Sequence, residues 1–303
     1  MDEKTAPKYS VIIPVYNRPD ELSELLSCLD LQIFRDFEVI IIEDGSEKKS
    51  DEVVKKYSDR IQISYYYKEN GGQGFARNYG FEKAHGQYFI LFDSDALIEP
   101  TYLHIVDEYL QKNNVAVYGG PDTDHPSFSN IQKAISYSMT SFFTTGGIRG
   151  KKSNMGGKFH PRSFNMGLSR EVWYKTNGFL TSRMGEDIIF SIRAIEMGFT
   201  TALIPEAFIY HKRRTKFSQF FKQLQFFGSA RINIARFYPK ELKLVHLFPM
   251  FFTLGIVLLP FLLLLNKSLF YVDLTLYVLY SVLLFLDALK ITKNFQVSYL
   301  SVM

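Results

Sequence analysis

The stretch Phe89-Ile90-Leu91-Phe92-Asp93-Ser94-Asp95 decides the interpretation of the fold, because four apolar residues run directly into two aspartates separated by one serine. An apolar run of this length, with Gly86 before it and Pro100 after it, is typical of a buried strand in a parallel sheet. Side chains just past such a strand lie where open α/β sheets bind ligands. Two carboxylates at positions i and i+2 can hold a divalent cation beside the diphosphate or ribose of a nucleotide. Asp-Ser-Asp is also good turn chemistry, so the neighbouring segments must decide between a site and a turn.

Strand and helix patterns alternate four times through the N-terminal half of the chain. The predicted strands are Tyr9–Val15, Phe37–Ile42, Ile61–Tyr67 and the run that ends at Asp93, followed later by Val115–Gly119 and Thr201 to about Pro205. This alternation predicts a doubly wound parallel sheet with its polar loops at the carboxyl ends of the strands. Phe164–Ser169 is expected to lead into a helical turn that contains Trp173, and Gly185 is expected to begin a further helix.

The region from Gly120 to Arg162 is rich in Gly, Ser and Lys, and its pattern predicts no definite elements. The pairs Gly146-Gly147 and Gly156-Gly157 indicate mobile loops within it.

Charge is distributed unevenly along the 303 residues. Residues 1–210 carry 23 Lys and Arg against 28 Asp and Glu, residues 211–243 carry 9 against 1, and residues 244–303 carry 3 against 2. The net charge of +4 therefore comes from one basic belt and not from a generally basic protein. The single Cys28 excludes an internal disulfide and is compatible with a reducing compartment. The polar start, Met1–Lys8, lacks the apolar core of a signal peptide.

Residues 216–238 combine large aromatic residues with Lys and Arg at helical spacing. The apolar stripe comprises Phe217, Phe220, Phe221, Leu224, Phe227 and Ile232. This composition suits a helix in the membrane interface, and we expect basic interfacial helices over residues 216–243. An ordinary amphipathic helix packed on the preceding domain is the alternative. Nucleic-acid binding is a poor explanation, because phenylalanines lie among the charges and two apolar segments follow.

The two apolar segments predict a transmembrane hairpin within residues 244–303. Residues 244–265 contain no Lys, Arg, Asp or Glu, which is about the length that a bilayer core needs. The second segment runs over about 269–289, and Asn266-Lys267-Ser268 forms the turn between them. Lysines flank the two outer ends, so the positive-inside tendency places both ends, and the large domain, in the cytoplasm. A helical hairpin buried in a soluble core is the alternative.

With these segments placed, the chain resembles the family 2 glycosyltransferases, which have the GT-A fold. The matching motifs follow the family's order and comprise Val11–Asn17, Glu43–Ser46, Gly71–Asn78, Phe92–Asp95, Phe164–Gly167 and Gly185–Asp187. The resemblance covers about residues 9–215 and implies a GT-A catalytic domain over 1–215, with a doubly wound mixed sheet. The tail, with His211–Arg214 and Gln225–Arg231, is similar to membrane-attached members that extend polyprenyl-diphosphate-linked glycans.

The resemblance assigns a nucleotide-sugar site by position. Asp44 would contact the base, with uracil expected, and the turn after the first strand would line the same pocket. Arg77 would approach the diphosphate or hold the carboxylates in place, and Asp93 would take the ribose. The implied set is Pro14, Tyr16, Asn17, Asp44, Gly72, Arg77, Asp93 and Ser94. The ordinary alternatives are an Asx-turn at Asp44 and a structural ion pair at Arg77.

The resemblance also implies a metal and a catalytic base. Asp95 would bind Mn²⁺ or Mg²⁺, with His211 as a further contact to the metal or the diphosphate. Asp187 would remove the proton from the acceptor hydroxyl, which attacks in line and inverts the anomeric carbon. Glu186 would place the acceptor or tune its neighbour, because two adjacent carboxylates disfavour double ionisation. A helix-start charge at Asp187 and a plain polar residue at His211 are the alternatives.

The function expected from the resemblance is a metal-dependent inverting glycosyltransferase. It would move a sugar from a nucleotide-sugar, with a UDP-sugar expected, to a lipid-linked or growing polysaccharide acceptor at the cytoplasmic face of the inner membrane. A catalytically silent, membrane-bound sugar-binding or scaffold subunit is the alternative from another class. A nucleotidyltransferase has less support, because Arg18 is the lone basic residue close to the first strand's end.

Overall fold

The computed structural model describes residues 6–145 and 159–303, which form two compact units. The first unit, called the sheet unit below, comprises residues 1–126 and 149–212. The loops expected at Gly146-Gly147 and Gly156-Gly157 lie outside the described residues.

The second unit, called the helical unit below, comprises residues 127–148 and 213–303. Segment 127–148 was expected to belong to a continuous N-terminal domain, but it groups with the C-terminal helices instead.

The described part of the sheet unit contains ten strands and six helices. The strands are β1 (Tyr9–Val15), β2 (Phe37–Asp44), β3 (Ile63–Lys68), β4 (Tyr88–Phe92), β5 (Ala96–Leu97), β6 (Val117–Gly119), β7 (Asp122–Thr123), β8 (Asn165–Ser169), β9 (Thr201–Leu203) and β10 (Ile209–His211). The helices are α1 (Pro19–Asp30), α2 (Asp51–Lys55), α3 (Gln73–Lys83), α4 (Tyr102–Lys112), α7 (Arg170–Thr176) and α8 (Glu186–Glu196). The first four strands confirm the predictions made from the apolar runs.

The strands of the large sheet bury side chains on both faces, as expected of a doubly wound sheet. In β1, Val11 and Ile13 pack into one apolar cluster, whereas Ile12 packs into another. Leucines of α1 fill the first cluster and Phe81 of α3 fills the second. Alternation of this kind arises because successive strand side chains point to opposite faces. Each face of the sheet is therefore covered by helices.

The sheet is mixed, so the parallel sheet predicted from strand–helix alternation holds only for part of it. Its strand order is β3-β2-β1-β4-β8-β6-β9, and β8 runs antiparallel to both β4 and β6. The segment around Asn165–Ser169 was expected only to lead into a helical turn. Gly167 permits the strand at this position, because a Cβ there would lie 1.9 Å from the Tyr118 ring. The mixed sheet agrees with the one implied by the GT-A resemblance.

The sheet order brings the loops of the sequence motifs to one edge. β1 pairs in parallel with both β2 and β4, so the carboxyl ends of these three strands lie side by side. A second, three-stranded sheet has the order β5-β10-β7. In it, His211 of β10 lies opposite Ala96, the residue after Asp95. This small sheet was not predicted, and it carries His211 to the end of β4.

The helical unit contains six α-helices in its described residues: α5 (Asn130–Thr140), α6 (Phe142–Thr145), α9 (Phe217–Phe237), α10 (Phe248–Leu265), α11 (Lys267–Thr292) and α12 (Phe295–Val302). The helix expected over 216–238 is confirmed as α9. Asn266 caps the start of α11, and its side chain accepts hydrogen bonds from the backbone of Ser268 and Leu269.

Two segments of the helical unit are long and apolar enough to cross a membrane. They are Leu244–Leu265 and Lys267–Thr292. The two helices α10 and α11 contact each other, and the Tyr277 hydroxyl donates a hydrogen bond to the Phe252 carbonyl at 2.7 Å. The expected pair of apolar helices is therefore present as a hairpin.

Helix α5 packs within the helical unit against α12 and the end of α11. The Tyr137 hydroxyl donates to Asp287 at 2.7 Å, and the Ser141 hydroxyl donates to the same carboxylate at 3.2 Å. The Asn130 amide donates to Gln296 at 2.7 Å. These contacts explain why a segment inserted between β7 and β8 belongs to the helical unit.

The close packing of α3 on β1 gives a stability prediction. A Cβ at Gly80 would lie 2.4 Å from Cγ2 of the buried Ile12. We expect Gly80→Ala to lower the free energy of unfolding by about 1–3 kcal/mol, as overpacking usually does. Thermal unfolding of the purified full chain, followed by circular dichroism, measures the change.

The same substitution at Gly228 is the control, because among the described residues an added Cβ on this glycine of α9 meets no atom within 4 Å outside its own stretch of helix. Alanine favours a helix interior over glycine by about 0.5–1 kcal/mol, so Gly228→Ala should not destabilise. Equal behaviour of the two variants would contradict the packing described for α3.

Candidate active site

Asp93, Asp95 and His211 form a group that fits a divalent cation. One ligand atom from each lies within 4.8 Å of the others. Oδ1 of Asp95 is buried, lies 3.3 Å from Nε2 of His211 and accepts no hydrogen bond from the described residues. Carboxylate and imidazole ligands suit Mn²⁺, and carboxylates suit Mg²⁺. An unsatisfied buried carboxylate oxygen beside two further ligands is the arrangement that a cation would complete.

Asp95 lies between two positively charged or chargeable groups. Its Oδ2 accepts a hydrogen bond from Nη1 of Arg18 at 2.6 Å. Burial would raise the pKa of Asp95, but the charges of His211 and Arg18 outweigh burial and hold this pKa below its ordinary range. Asp95 is therefore an anion at neutral pH. Nδ1 of His211 lies 3.5 Å from Asp122, and a carboxylate on the second ring nitrogen orients a ligating imidazole.

Arg77 joins the cation group to the start of α8. Its side chain is fully buried, with Nη2 at 2.5 Å from Asp93 and Nη1 at 3.6 Å from Glu186. The guanidinium also lies over the Phe179 ring, 5.7 Å from the centroid. Nε and Nη1 have no hydrogen-bond partner among the described residues. Of the two roles expected for Arg77, this geometry favours holding the carboxylates.

Glu186 and Asp187 begin α8 in different environments. Gly185 has φ of +90° and Met184 has φ of +64°, so the chain turns sharply before the helix. Glu186 is buried and accepts a hydrogen bond from the Gln73 amide. Burial and the charge of Asp187 raise the pKa of Glu186 to about 7. Asp187 is partly exposed, with Oδ2 at 3.5 Å from Arg162.

Asp44 anchors the glycine-rich loop that precedes α3. Its carboxylate accepts from Lys68 Nζ at 2.7 Å, from the Gly71 amide at 2.9 Å and from the Gly72 amide at 2.8 Å. A carboxylate offers about four acceptor positions, so about one remains for a ligand. In the part of the chain that the structure describes, the Asp44 side chain contacts a loop about 27 positions along the chain and forms no local Asx-turn.

The glycine-rich loop also contacts the segment before α8. The Gly74 amide donates to the Ser182 carbonyl at 2.9 Å, and Arg183 donates to Asn70 at 2.8 Å. Gly72 has φ of +90°, and a Cβ on it would meet Arg183 and Ser182 at 2.9 Å. Only glycine combines this backbone angle with so close an approach.

The turn after β1 is fixed to the loop after β2. The Asn17 amide, at φ of +55°, donates to the Ser46 hydroxyl at 2.7 Å, and Asn17 Oδ1 accepts from the Lys48 amide at 3.0 Å. Tyr16 is 52% exposed. Ser94 is buried, and within the described ranges no hydrogen bond links the side chains of Tyr16 or Ser94 to the groups above. Pro14 lies in β1.

A continuous series of contacts within the sheet unit connects most of the candidate residues. It runs from Asp44 through the glycine-rich loop to Glu186, then through Arg77 to Asp93, Asp95 and His211. The sequence therefore identified residues that the fold brings together. It missed the side-chain contacts made by Arg18, Gln73, Asp122 and Arg162. The position of Arg18 directly after β1, beside β4, was the signal that could have indicated its approach to Asp95.

A family model supplies the identification. The model described as Glycosyl transferase family 2 matches residues 10–175, which is more than half of the chain. The chain belongs to this family. An uncharacterized glycosyltransferase of Rickettsia typhi (strain ATCC VR-144 / Wilmington) is 36% identical to the glycosyltransferase described here over 118 residues, covering 38% of this chain and 36% of that protein. The chain spans 36% or less of the length of the Rickettsia relatives it matches.

Solved structures share the fold of this family 2 glycosyltransferase. The mannosyltransferase PcManGT from Pyrobaculum calidifontis, in complex with GDP-Man and Mn²⁺, has a TM-score of 0.59 at 16% identity over 77% of this chain and 65% of that chain. S. aureus TarS 1-349, in complex with UDP-GlcNAc, has a TM-score of 0.52 at 19% identity over 75% and 67%. At these identities the similarity confirms the expected GT-A fold.

The pKa of Glu186 gives a pH-dependent stability prediction. A raised pKa in the folded state means that Glu186 contributes stability below about pH 4.5, and that this stability is lost as the pH rises through about 7. Glu186→Gln stays neutral, so it should match the wild type near pH 5 and exceed its free energy of unfolding at pH 8 by about 2–3 kcal/mol. Chemical denaturation at both pH values measures the difference.

Glu196→Gln is the control, because Glu196 is exposed at the other end of α8. We expect it to match the wild type at both pH values. A Glu186→Gln variant that is less stable than the wild type at pH 8 would show that the ionised carboxylate is favourably paired.

Proposed function

We propose that this glycosyltransferase moves a sugar from a nucleotide-sugar to a lipid-linked or growing polysaccharide acceptor, inverting the anomeric carbon, at the cytoplasmic face of the inner membrane. The observation that carries the proposal is the Arg77 bridge between Asp93, in the candidate cation group, and Glu186, beside Asp187. This bridge supports a site in which groups suited to a diphosphate leaving group would act together with a carboxylate suited to proton removal.

The donor half of the reaction uses the residues after β2 and β4. Asp95 and His211 would hold Mn²⁺ or Mg²⁺, with Asp93 contributing to the same group or to the ribose. When bound, a divalent cation supplies charge that neutralises a nucleoside diphosphate leaving group. Arg77 keeps Asp93 in position, and Asp44 has about one acceptor position left for the N–H of a base.

The acceptor half of the reaction uses the start of α8. Asp187 is the more exposed of the two carboxylates and would accept the proton of the attacking hydroxyl. Burial and the neighbouring carboxylate raise the pKa of Glu186 to about 7, so Glu186 is more often neutral at a given pH than an ordinary glutamate. The burial of Glu186 and the greater exposure of its neighbour support Asp187 as the base.

The nature of the donor and acceptor is inferred from other proteins and from composition. Structural neighbours are bound to GDP-Man and to UDP-GlcNAc, and the resemblance favours a UDP-sugar here. The two apolar helices and the basic, aromatic α9 support attachment to a membrane and a lipid-linked acceptor. The lysines outside the two spans support a cytoplasmic sheet unit.

Replacement of the proposed base tests the reaction. We expect Asp187→Asn to reduce hydrolysis of the donor, in which water takes the acceptor's place, by about 10²–10⁴-fold, the usual contribution of a general base. Binding of UDP in the presence of Mn²⁺ should stay within about twofold of the wild type, because Asp187 does not lie in the candidate cation group. The assay uses detergent-purified full chain with a panel of UDP- and GDP-sugars.

Glu196→Gln on the same helix is the control and should retain wild-type hydrolysis. Unchanged turnover in Asp187→Asn would remove Asp187 from the mechanism. A wild-type chain that binds UDP but turns over no member of the panel would favour the silent subunit.

Replacement of the histidine tests the cation site. We expect His211→Ala to weaken Mn²⁺ binding by at least about tenfold, since the loss of even an outer partner of a metal site typically costs 10–100-fold. The shift in thermal unfolding temperature across a MnCl₂ titration measures the affinity. His104→Ala, at an exposed histidine of α4, should leave the titration unchanged. Equal titrations for both variants would contradict the assignment of His211.

A further inference from the structure

Arg18 has a contact in the candidate cation group that neither composition nor motif assigned to it. Its Nη1 donates to Oδ2 of Asp95 at 2.6 Å, and across the described chain Asp95 is the one residue that accepts a hydrogen bond from this side chain. The residue lies directly before α1, in the turn that follows β1. The remaining N–H groups of the guanidinium are available to another acceptor.

Each of the two carboxylates of the group is bound by an arginine, but the two arginine side chains differ in their exposure to solvent. Arg77, on Asp93, is 0% exposed and is enclosed by Phe179 and Glu186. Arg18, on Asp95, has a side chain that is 29% exposed. A buried guanidinium cannot leave its partner without a large desolvation cost, whereas a partly exposed one can exchange its partner. Arg18 is therefore the arginine that is able to move.

We propose that Arg18 competes with the divalent cation for Oδ2 of Asp95 and, when displaced, binds a phosphate oxygen of the donor. The proposal rests on the cation site of the proposed function. It makes Arg18 a donor-binding residue whose contact with Asp95 is one of two alternative positions.

The competition follows from charge and geometry. Asp95 presents Oδ1 to His211 and Oδ2 to Arg18, so a cation that uses both oxygens must displace the guanidinium. Two cations on one carboxylate also repel each other, which weakens the Arg18 contact when the ion binds. A guanidinium presents its donors in a planar fork that matches phosphate oxygens. Released from Asp95, Arg18 remains at the carboxyl edge of β1, beside the end of β4.

This proposal predicts that replacing Arg18 strengthens the binding of Mn²⁺ and weakens the binding of UDP. Arg18→Gln removes the competing charge, so we expect the Mn²⁺ dissociation constant of the nucleotide-free full chain to fall about tenfold, which corresponds to one charge-assisted contact of modest strength. UDP binding at saturating Mn²⁺ should weaken about tenfold, because a phosphate contact is lost. Electron paramagnetic resonance of free Mn²⁺ gives the first constant, and calorimetry with UDP gives the second.

Two further variants separate this role from a structural one. Arg60→Gln is a matched control, because Arg60 makes a contact of the same length, 2.6 Å, with Asp30 on the surface. It should leave both constants within about twofold of the wild type. Arg18→Lys keeps the charge and should retain Mn²⁺ binding close to the wild type. Thermal unfolding without Mn²⁺ should be similar for all three variants.

The outcomes divide clearly. Weaker Mn²⁺ binding in Arg18→Gln would mean that Arg18 only positions Asp95. Unchanged binding of both Mn²⁺ and UDP would mean that Arg18 affects neither ligand. Each of these results overturns the proposal. If His211→Ala binds Mn²⁺ as tightly as the wild type, the assigned cation site fails and the competition fails with it. Tighter Mn²⁺ binding together with weaker UDP binding in Arg18→Gln supports the proposal.

Discussion

The sheet unit depends on one buried guanidinium. Arg77 is the largest fully buried side chain of the described chain; Asp93 pairs with its charge on one side, and Glu186 lies 3.6 Å away on the other. Removing one member of a buried charged group commonly costs several kcal/mol, about 3–5, because the other members are left uncompensated. The residues that Arg77 connects come from the end of β4 and the start of α8. Stability and the geometry of the candidate site therefore rest on the same contact.

The asymmetry of the two carboxylates at the start of α8 follows from that contact. Glu186 is enclosed with Arg77 and Gln73, whereas Asp187 reaches towards solvent and Arg162. Burial makes ionisation of Glu186 costly, and the neighbouring charge adds to the cost. Two adjacent acidic residues thus acquire different environments from a single turn of backbone. Their neighbouring positions in the sequence give no sign of this difference.

The sequence predicted the elements whose signal is local. β1, β2 and β4 are continuous runs of Val, Ile, Leu and Phe, and such runs identify buried strands well. β8 was missed because it is five residues long, contains Asn165 and Gly167, and runs in a direction that no periodicity encodes. The small sheet was missed because each of its strands has only two or three residues.

The motif residues of the site could be predicted, since strand ends of a parallel sheet converge. Their partners could not: the contact of Arg18 with Asp95 links residues 77 positions apart and depends on how two loops approach.

The placement of the described residues 127–145 in the helical unit determines where the chain could be shortened. The polypeptide passes from the sheet unit to the helical unit after residue 126, is again in the sheet unit by residue 159 and leaves it after 212. The sheet unit is therefore not a contiguous piece of the chain. Cutting after Lys212 would free the sheet from its apolar hairpin but would leave α5 without the Asp287 carboxylate that Tyr137 and Ser141 share. A version of the sheet unit without the apolar hairpin must therefore bridge over the α5–α6 insertion as well as end before α10.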